Sequence, residues 1–454
     1  MAITATVQRL PLKSLPLPEK IIGRGRSAIV VRWLLSRALT LSILMFAHEN
    51  EVAGDVTYYG RSLHQLFAGG TLRDTLQEYP LPVFALLVPP FLLAFLNQVA
   101  FTILFALSML FVDAMFTGLL WRGDGRQRGD ATNIWLWFVP AIGPLAYFRF
   151  DLVPAVLAGG AVLAAVRRPA LAGALTAIGA ALKLWPAVML PTFLIRRTDR
   201  RQVLTGFLST GLTLGVAALA LGGIDRTLSP LRWQSARGLQ VESITATPLM
   251  IARMFNPHGP WTVKVSRYKA WEIFGDGTHL FVQLASVATV LGGLTLIVLW
   301  WRAHNAPAPS AETLGWMFLT TALVVTVTNK TLSPQYLLWL GGPIAALAVR
   351  APANPAVRTF GRILLVTAIA TQFVYPIGYN GLVTTHAMLP VSTLILVTRN
   401  VLLLWLTWFA IKQVWIQTSR GPAKAIPARV ASDDVACEVI QQEFSEDQPL
   451  PLER

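Results

Sequence analysis

The stretch from Ala28 to Ala47 reads AIVVRWLLSRALTLSILMFA, and His48 to Gly60 continues it as HENEVAGDVTYYG. The first part is long and apolar enough to cross a bilayer, which takes roughly 20 residues. Before it lie Arg9, Lys13, Lys20, Arg24 and Arg26 against one acid, Glu19, with prolines and glycines that oppose a helix. A basic stretch before an apolar run also suits a signal peptide, but no small-x-small cleavage site precedes His48. The run therefore reads as an uncleaved first helix, passing from the cytoplasmic to the extracytoplasmic side.

The rest of the chain repeats this pattern. Of 454 residues, 54% are hydrophobic and 13% charged. Soluble domains carry about 25% charge, so a water-soluble single-core protein is excluded. The net charge of +15 would point to nucleic acid in a soluble protein. Here it marks cytoplasmic loops, and no nucleic-acid partner is expected. A single cysteine, Cys437, excludes a disulfide framework and a cysteine-ligated metal site.

Basic clusters act as a ruler along the membrane path: Arg122 to Arg128, Arg167 and Arg168, Arg196 to Arg201, Arg302, Arg350 to Arg362, and Lys412. If each is cytoplasmic, an even number of crossings separates consecutive clusters. The 27 residues from Pro169 to Ile195 are tight for two spans, so short or broken helices are expected around Trp185-Pro186. Between the first loop and Arg122 an odd count is needed. Pro80, Pro82, Pro89 and Pro90 then make 81–96 a broken interfacial or re-entrant element. The expected fold is an all-α polytopic membrane protein of about 12 transmembrane helices, with both termini cytoplasmic. An interfacial helix from Val56 onward is expected in the first extracytoplasmic loop, because Tyr59, Leu63, Leu66 and Phe67 recur at helical spacing. The organisation is a basic cytoplasmic segment 1–27, a transmembrane domain 28–415, and an acidic, disordered cytoplasmic tail 416–454.

The outer turns, unlike the inner ones, carry mixed polar groups. Asp55 follows a glycine close to the membrane surface, where it serves as a general base toward a hydroxyl, as the N-cap of the following helix, or as both. Arg149 and Asp151 stand at a membrane boundary, as functional groups or as a mutual ion pair. Lys183 either snorkels or meets a phosphate. Arg237, Gln240, Glu242 and Ser243 combine a cation suited to phosphate with groups that read sugar hydroxyls, or form an ordinary solvated loop. The run from Thr328 to Tyr336, with Asn329, Lys330 and Gln335, interrupts apolar blocks at a cost that a polar cavity would explain. Asp113, within an apolar stretch, reads as a buried hydrogen-bonding group. No phosphate-cradling glycine loop and no metal-ligand spacing stand out, so no cofactor, nucleotide or metal is expected, although a divalent ion near Asp55 is not excluded.

Gly54-Asp55-Val-Thr-Tyr58-Tyr59, Tyr79-Pro80, Arg149-Phe-Asp151-Leu-Val-Pro154, Lys183-Leu-Trp185-Pro186, Arg237-Gly-Leu-Gln-Val-Glu242-Ser243 and Ser333-Pro334-Gln335-Tyr336 together resemble glycosyltransferase family 87. The resemblance runs in order from about residue 30 to 415 and implies the GT-C fold. It implies an inverting transferase with Asp55 as the acidic catalytic residue, a polyprenyl-phospho-mannose donor, and a lipid-linked glycan or lipoglycan acceptor. Lys330, Arg237 and Lys183 would meet the donor phosphate. Tyr58, Tyr59, Tyr79, Arg149, Asp151, Gln240, Glu242, Ser243, Asn329, Gln335 and Tyr336 would line the substrates. The expected place is the plasma membrane, with the site facing outward among membrane lipids. A transporter or flippase of lipid-linked saccharides is the alternative, as is a related transferase using polyprenyl-phospho-arabinose or glucose.

Overall fold

The computed structural model describes residues 25–45, 52–125, 129–307, 309–385 and 387–419. Most of the basic N-terminal segment, nearly all of the acidic tail, and Arg126 and Arg128 of the basic ruler lie outside the described residues. Among the described residues, seven helices are long and apolar enough to cross a membrane: Ser27–Met45, Gln98–Asp124, Arg200–Ala236, Thr278–Asn305, Ala311–Thr328, Pro355–Ile377 and Leu389–Ser419. Shorter apolar helices, among them Leu152–Ala164 and Pro169–Leu182, lie between them. The chain is a multi-pass membrane protein.

Ala311–Thr328 and Leu338–Arg350 form the centre, with nearly every residue buried. The long helices around them instead expose apolar side chains such as Leu212, Leu221, Val290 and Ile297. Water would oppose such surfaces, and lipid accepts them. Helix Pro169–Leu182 packs closely against Arg200–Ala236. A Cβ at Gly173 would stand 2.1 Å from the Val203 carbonyl oxygen, and one at Gly206 would stand 1.9 Å from that of Ala170. Small residues at such contacts let helix backbones approach where no hydrophobic drive holds them together.

The proline-rich segments break as their sequences require. Leu81–Val83 is a single 3-10 turn, and the helix Phe84–Leu93 holds Pro89 and Pro90. Phe95 and Leu96 then turn the chain at positive φ into Gln98–Asp124. The helix before Lys183 ends at Leu182 and gives way to a 3-10 turn over Trp185–Met189.

Two features depart from the expected all-α chain, in which roughly 224–277 reads as one long outer loop. Helix Arg200–Ala236 runs through most of the first part of that loop, bending at Gly223 (φ 68°). Beyond it, Thr262–Val265 and Trp271–Phe274 pair as an antiparallel hairpin. The stretch 239–241 adds to the hairpin: Val241 N–H donates to the Trp271 carbonyl, and Ile273 N–H to that of Leu239.

Polar contacts gather at two ends of the bundle. At one end Arg358 pairs with Asp130 at 2.7 Å, Glu312 accepts from Asn354 and Gln417, and Arg302 donates to Thr418. Arg302 and Arg358 of the basic ruler fall here. At the other end the outer-turn residues meet. Within the bundle, Asp113 is fully buried and accepts from Arg37, Trp33, Trp135 and Tyr147. It thereby ties the first helix to Gln98–Asp124, on which it stands, and to the shorter helix Asp130–Ile142.

Candidate active site

A cavity of about 700 Å³ opens at the second end. Asp55 lies in the first turn of helix Gly54–Phe67, two residues past its N-cap, which is Ala53 with no side-chain hydrogen bond. The capping alternative is thereby removed. Val56, Tyr59 and Leu63 bury the opposite face of this helix in the core, leaving Asp55 about one-third exposed toward the cavity.

Arg149 and Asp151 do not pair with each other. Arg149 Nε stands 2.8 Å from Asp55 Oδ2, although its N–H is not aligned there as a hydrogen bond. Its Nη1 donates to the carbonyls of Val52 and Phe148, and its Nη2 to the Tyr375 hydroxyl. Asp151, buried, accepts from Lys183 Nζ at 2.6 Å and from Trp339 Nε1 at 2.9 Å. Lys183 therefore does not snorkel as a free cation. Its charge is met by Asp151 and by the rings of Phe150, Tyr336 and Trp339.

Tyr336 and Trp339 stack at 3.9 Å, and Trp339 stacks on Trp185 at 4.7 Å. All three rings line the cavity. Trp339 follows Tyr336 by three residues, which places it on the same side of a helical turn. That spacing was the available signal for it.

Arg237 lines the cavity and makes no ion pair among the described residues. Its Nη1 lies 3.5 Å from Gln234 Oε1 and its Nε is buried without a partner. Gly238 follows because its N–H donates to Glu272, whose Oε2 would lie 2.6 Å from any added Cβ. Gln240 lines the wall and donates to the Ser333 hydroxyl. Glu242 is fully buried, paired with Arg399 at 3.3 Å, and its Oε1 lacks a partner. Burial raises its carboxyl to about 7, against the opposing pull of Arg399.

Lys330 is not part of the cavity lining. Its ammonium donates to the Ser235 carbonyl, and burial holds it below the ordinary lysine range, with Glu272 opposing and Arg237 adding to the shift. Tyr59 and Ser243 are also set back: Tyr59 lies behind Tyr79, their hydroxyls 3.5 Å apart, and Ser243 Oγ accepts from Ala246 N–H. Tyr58, Tyr79, Asn329, Gln335 and Tyr336 do line the cavity.

Several lining residues were not singled out from sequence. Glu78 is a third carboxylate on the wall with Asp55 and Glu242, beside Tyr58, whose hydroxyl burial and Glu78 push above the ordinary tyrosine range. Lys269, at the hairpin tip, lies 3.5 Å above the Tyr58 ring. Tyr375 and Tyr379 complete the far wall. Among the described residues, no group of three metal-ligating side chains comes together.

A multi-pass helical protein with carboxylates, an unpaired guanidinium and stacked aromatic rings in one cavity has the parts of a membrane enzyme acting on a polar group carried by lipid. The family model for glycosyltransferase family 87 matches residues 78–328, more than half of the chain. The chain belongs to that family and is a membrane glycosyltransferase. No curated protein and no solved structure matches it. Asp55 and the stretch 333–336 lie outside the matched residues, yet they face the same cavity as Tyr79, Arg149 and Arg237.

Proposed function

We propose that the protein is an inverting transferase of GT-C type, moving mannose from polyprenyl-phospho-mannose to a hydroxyl of a lipid-linked glycan or lipoglycan at the outer face of the plasma membrane. The observation that carries this reading is the shared cavity: a partly exposed carboxylate, Asp55, and an unpaired guanidinium, Arg237, line one space. The acceptor oxygen attacks the anomeric carbon while the bond from that carbon to the phosphate oxygen breaks. The acceptor proton passes to Asp55, and the bonding pair leaves with the polyprenyl phosphate. Negative charge grows on that phosphate, where Arg237 stabilises it more in the transition state than in the bound donor. The stacked Trp185, Trp339 and Tyr336 form an aromatic wall against which the sugar's C–H groups rest. Arg149 and Lys183, each neutralised by an acid, shape the site rather than bind phosphate.

A transporter of lipid-linked saccharides would need a carrier pathway but no proton acceptor or phosphate cation at a single end. The test uses purified protein in lipid nanodiscs with polyprenyl phosphates bearing labelled mannose, arabinose or glucose. Transfer from the mannose donor, with release of polyprenyl phosphate, is the expected result. Transfer from none of the three overturns the transferase reading, and preference for another sugar overturns the choice of donor.

A further inference from the structure

A second cavity of about 320 Å³ adjoins the first, and Trp233 and Tyr268 line both. Their rings meet edge to face at 5.4 Å, so they form a shared wall. The new space lies within the ~300–1,000 Å³ range of small-molecule sites. Its charged groups differ in what they are doing. Arg226 is buried, and its guanidinium donates to the carbonyls of Leu72, Thr75, Leu76 and Tyr79. It fixes the segment 72–79 against the helix and has little left for a ligand. Arg73 and Arg232 instead share Asp225 at 3.4 and 3.2 Å, with all three side chains more than half exposed. Such exposed pairs add little to stability, so nothing in the fold requires them there. Their remaining N–H groups and the Asp225 oxygens are free to exchange one another for a ligand.

Two aromatic rings beside exchangeable donors and acceptors match a pyranose, which presents apolar C–H faces and a rim of hydroxyls. A polyprenyl chain would leave these polar groups unsatisfied. We propose that this cavity holds the acceptor's glycan beyond the sugar that carries the attacking hydroxyl, with Trp233 and Tyr268 marking the step between the two sites. The proposal rests on the transferase reading, and it makes the enzyme prefer an extended acceptor over a single sugar.

The experiment compares octyl mono-, di- and trimannosides as acceptors, with labelled polyprenyl-phospho-mannose as donor. The wild type is expected to use the trimannoside with the highest kcat/KM. In Arg232→Ala and in Arg73→Ala/Arg232→Ala that preference should fall by about tenfold, the size of one or two lost hydrogen bonds, through KM rather than kcat. Both side chains are exposed, so folding is not at stake, and thermal unfolding checks this directly. Equal kcat/KM for all three acceptors in the wild type, or a preference kept in both variants, overturns the second site alone. Absence of transfer to any acceptor overturns the transferase reading and this proposal together.

Discussion

Arg149 Nε stands 2.8 Å from the Asp55 carboxylate while the other nitrogens of the same guanidinium grip Val52, Phe148 and Tyr375. One buried cation thus anchors the start of helix Gly54–Phe67 to the loop after Phe148 and to the far cavity wall. Only a planar fork with several donors does this. Arg149→Lys keeps the charge and loses the fork. It should lower kcat by about 10²-fold, the cost of a small misplacement of a reacting group, with a smaller effect on donor KM. Steady-state kinetics on a variant shown to be folded would check it, and wild-type kcat would count against the anchoring role.

Arg237 and Lys330 were both candidates for the donor phosphate, and the structure separates them. Arg237→Ala should lower kcat by about 10²–10³-fold, as when one donor to developing charge is removed. Lys330→Ala removes only a hydrogen bond to the Ser235 carbonyl. Its effect should stay within about threefold, since the lost bond is worth about 1 kcal/mol or less. Release of polyprenyl phosphate measures both, and a reversed order would reassign the cation.

Glu242 gives a pH prediction. Its carboxyl rises from the ordinary 4.5 to about 7 in the folded protein, so folding favours the protonated form. The stabilisation is fully present below pH 4.5 and is lost as pH rises through 7. Melting temperature should fall across that window in the wild type. In Glu242→Gln this component of the slope should vanish, and an unchanged slope would place the titration elsewhere.

Asp113 should matter for stability rather than turnover. It accepts from four side chains and pairs with Arg37 at 2.6 Å, both buried. Asp113→Asn leaves Arg37 as an uncompensated buried charge. Breaking such pairs costs about 3–5 kcal/mol. Denaturant unfolding in detergent should show this, with activity per folded molecule retained.

Much of this was legible in the sequence because lipid leaves few choices. Long apolar runs, proline breaks at 81–96 and at Trp185-Pro186, and a polar interruption at 328–336 each carry a physical meaning that one chain suffices to read. Pairings were not legible. Arg149 and Asp151 looked like partners because they are neighbours in sequence, yet each is claimed by a residue far along the chain, Asp55 and Lys183. The hairpin holding Tyr268, Lys269 and Trp271 was read as plain loop. Its strands are only four residues each, too short to show alternation against the surrounding polar sequence. Glu78 carries no signal of its own in the sequence, since nothing local distinguishes a carboxylate that faces a cavity from one that faces water.

Three carboxylates line the cavity and Arg399 claims Glu242, so the most direct test is turnover by Asp55→Asn and Glu78→Gln with polyprenyl-phospho-mannose and a fixed acceptor. If Asp55 takes the acceptor proton, its variant loses about 10²–10⁴ in kcat with binding of both substrates retained, and Glu78→Gln stays within about tenfold. Wild-type kcat in Asp55→Asn, or the large loss in Glu78→Gln alone, would contradict that assignment.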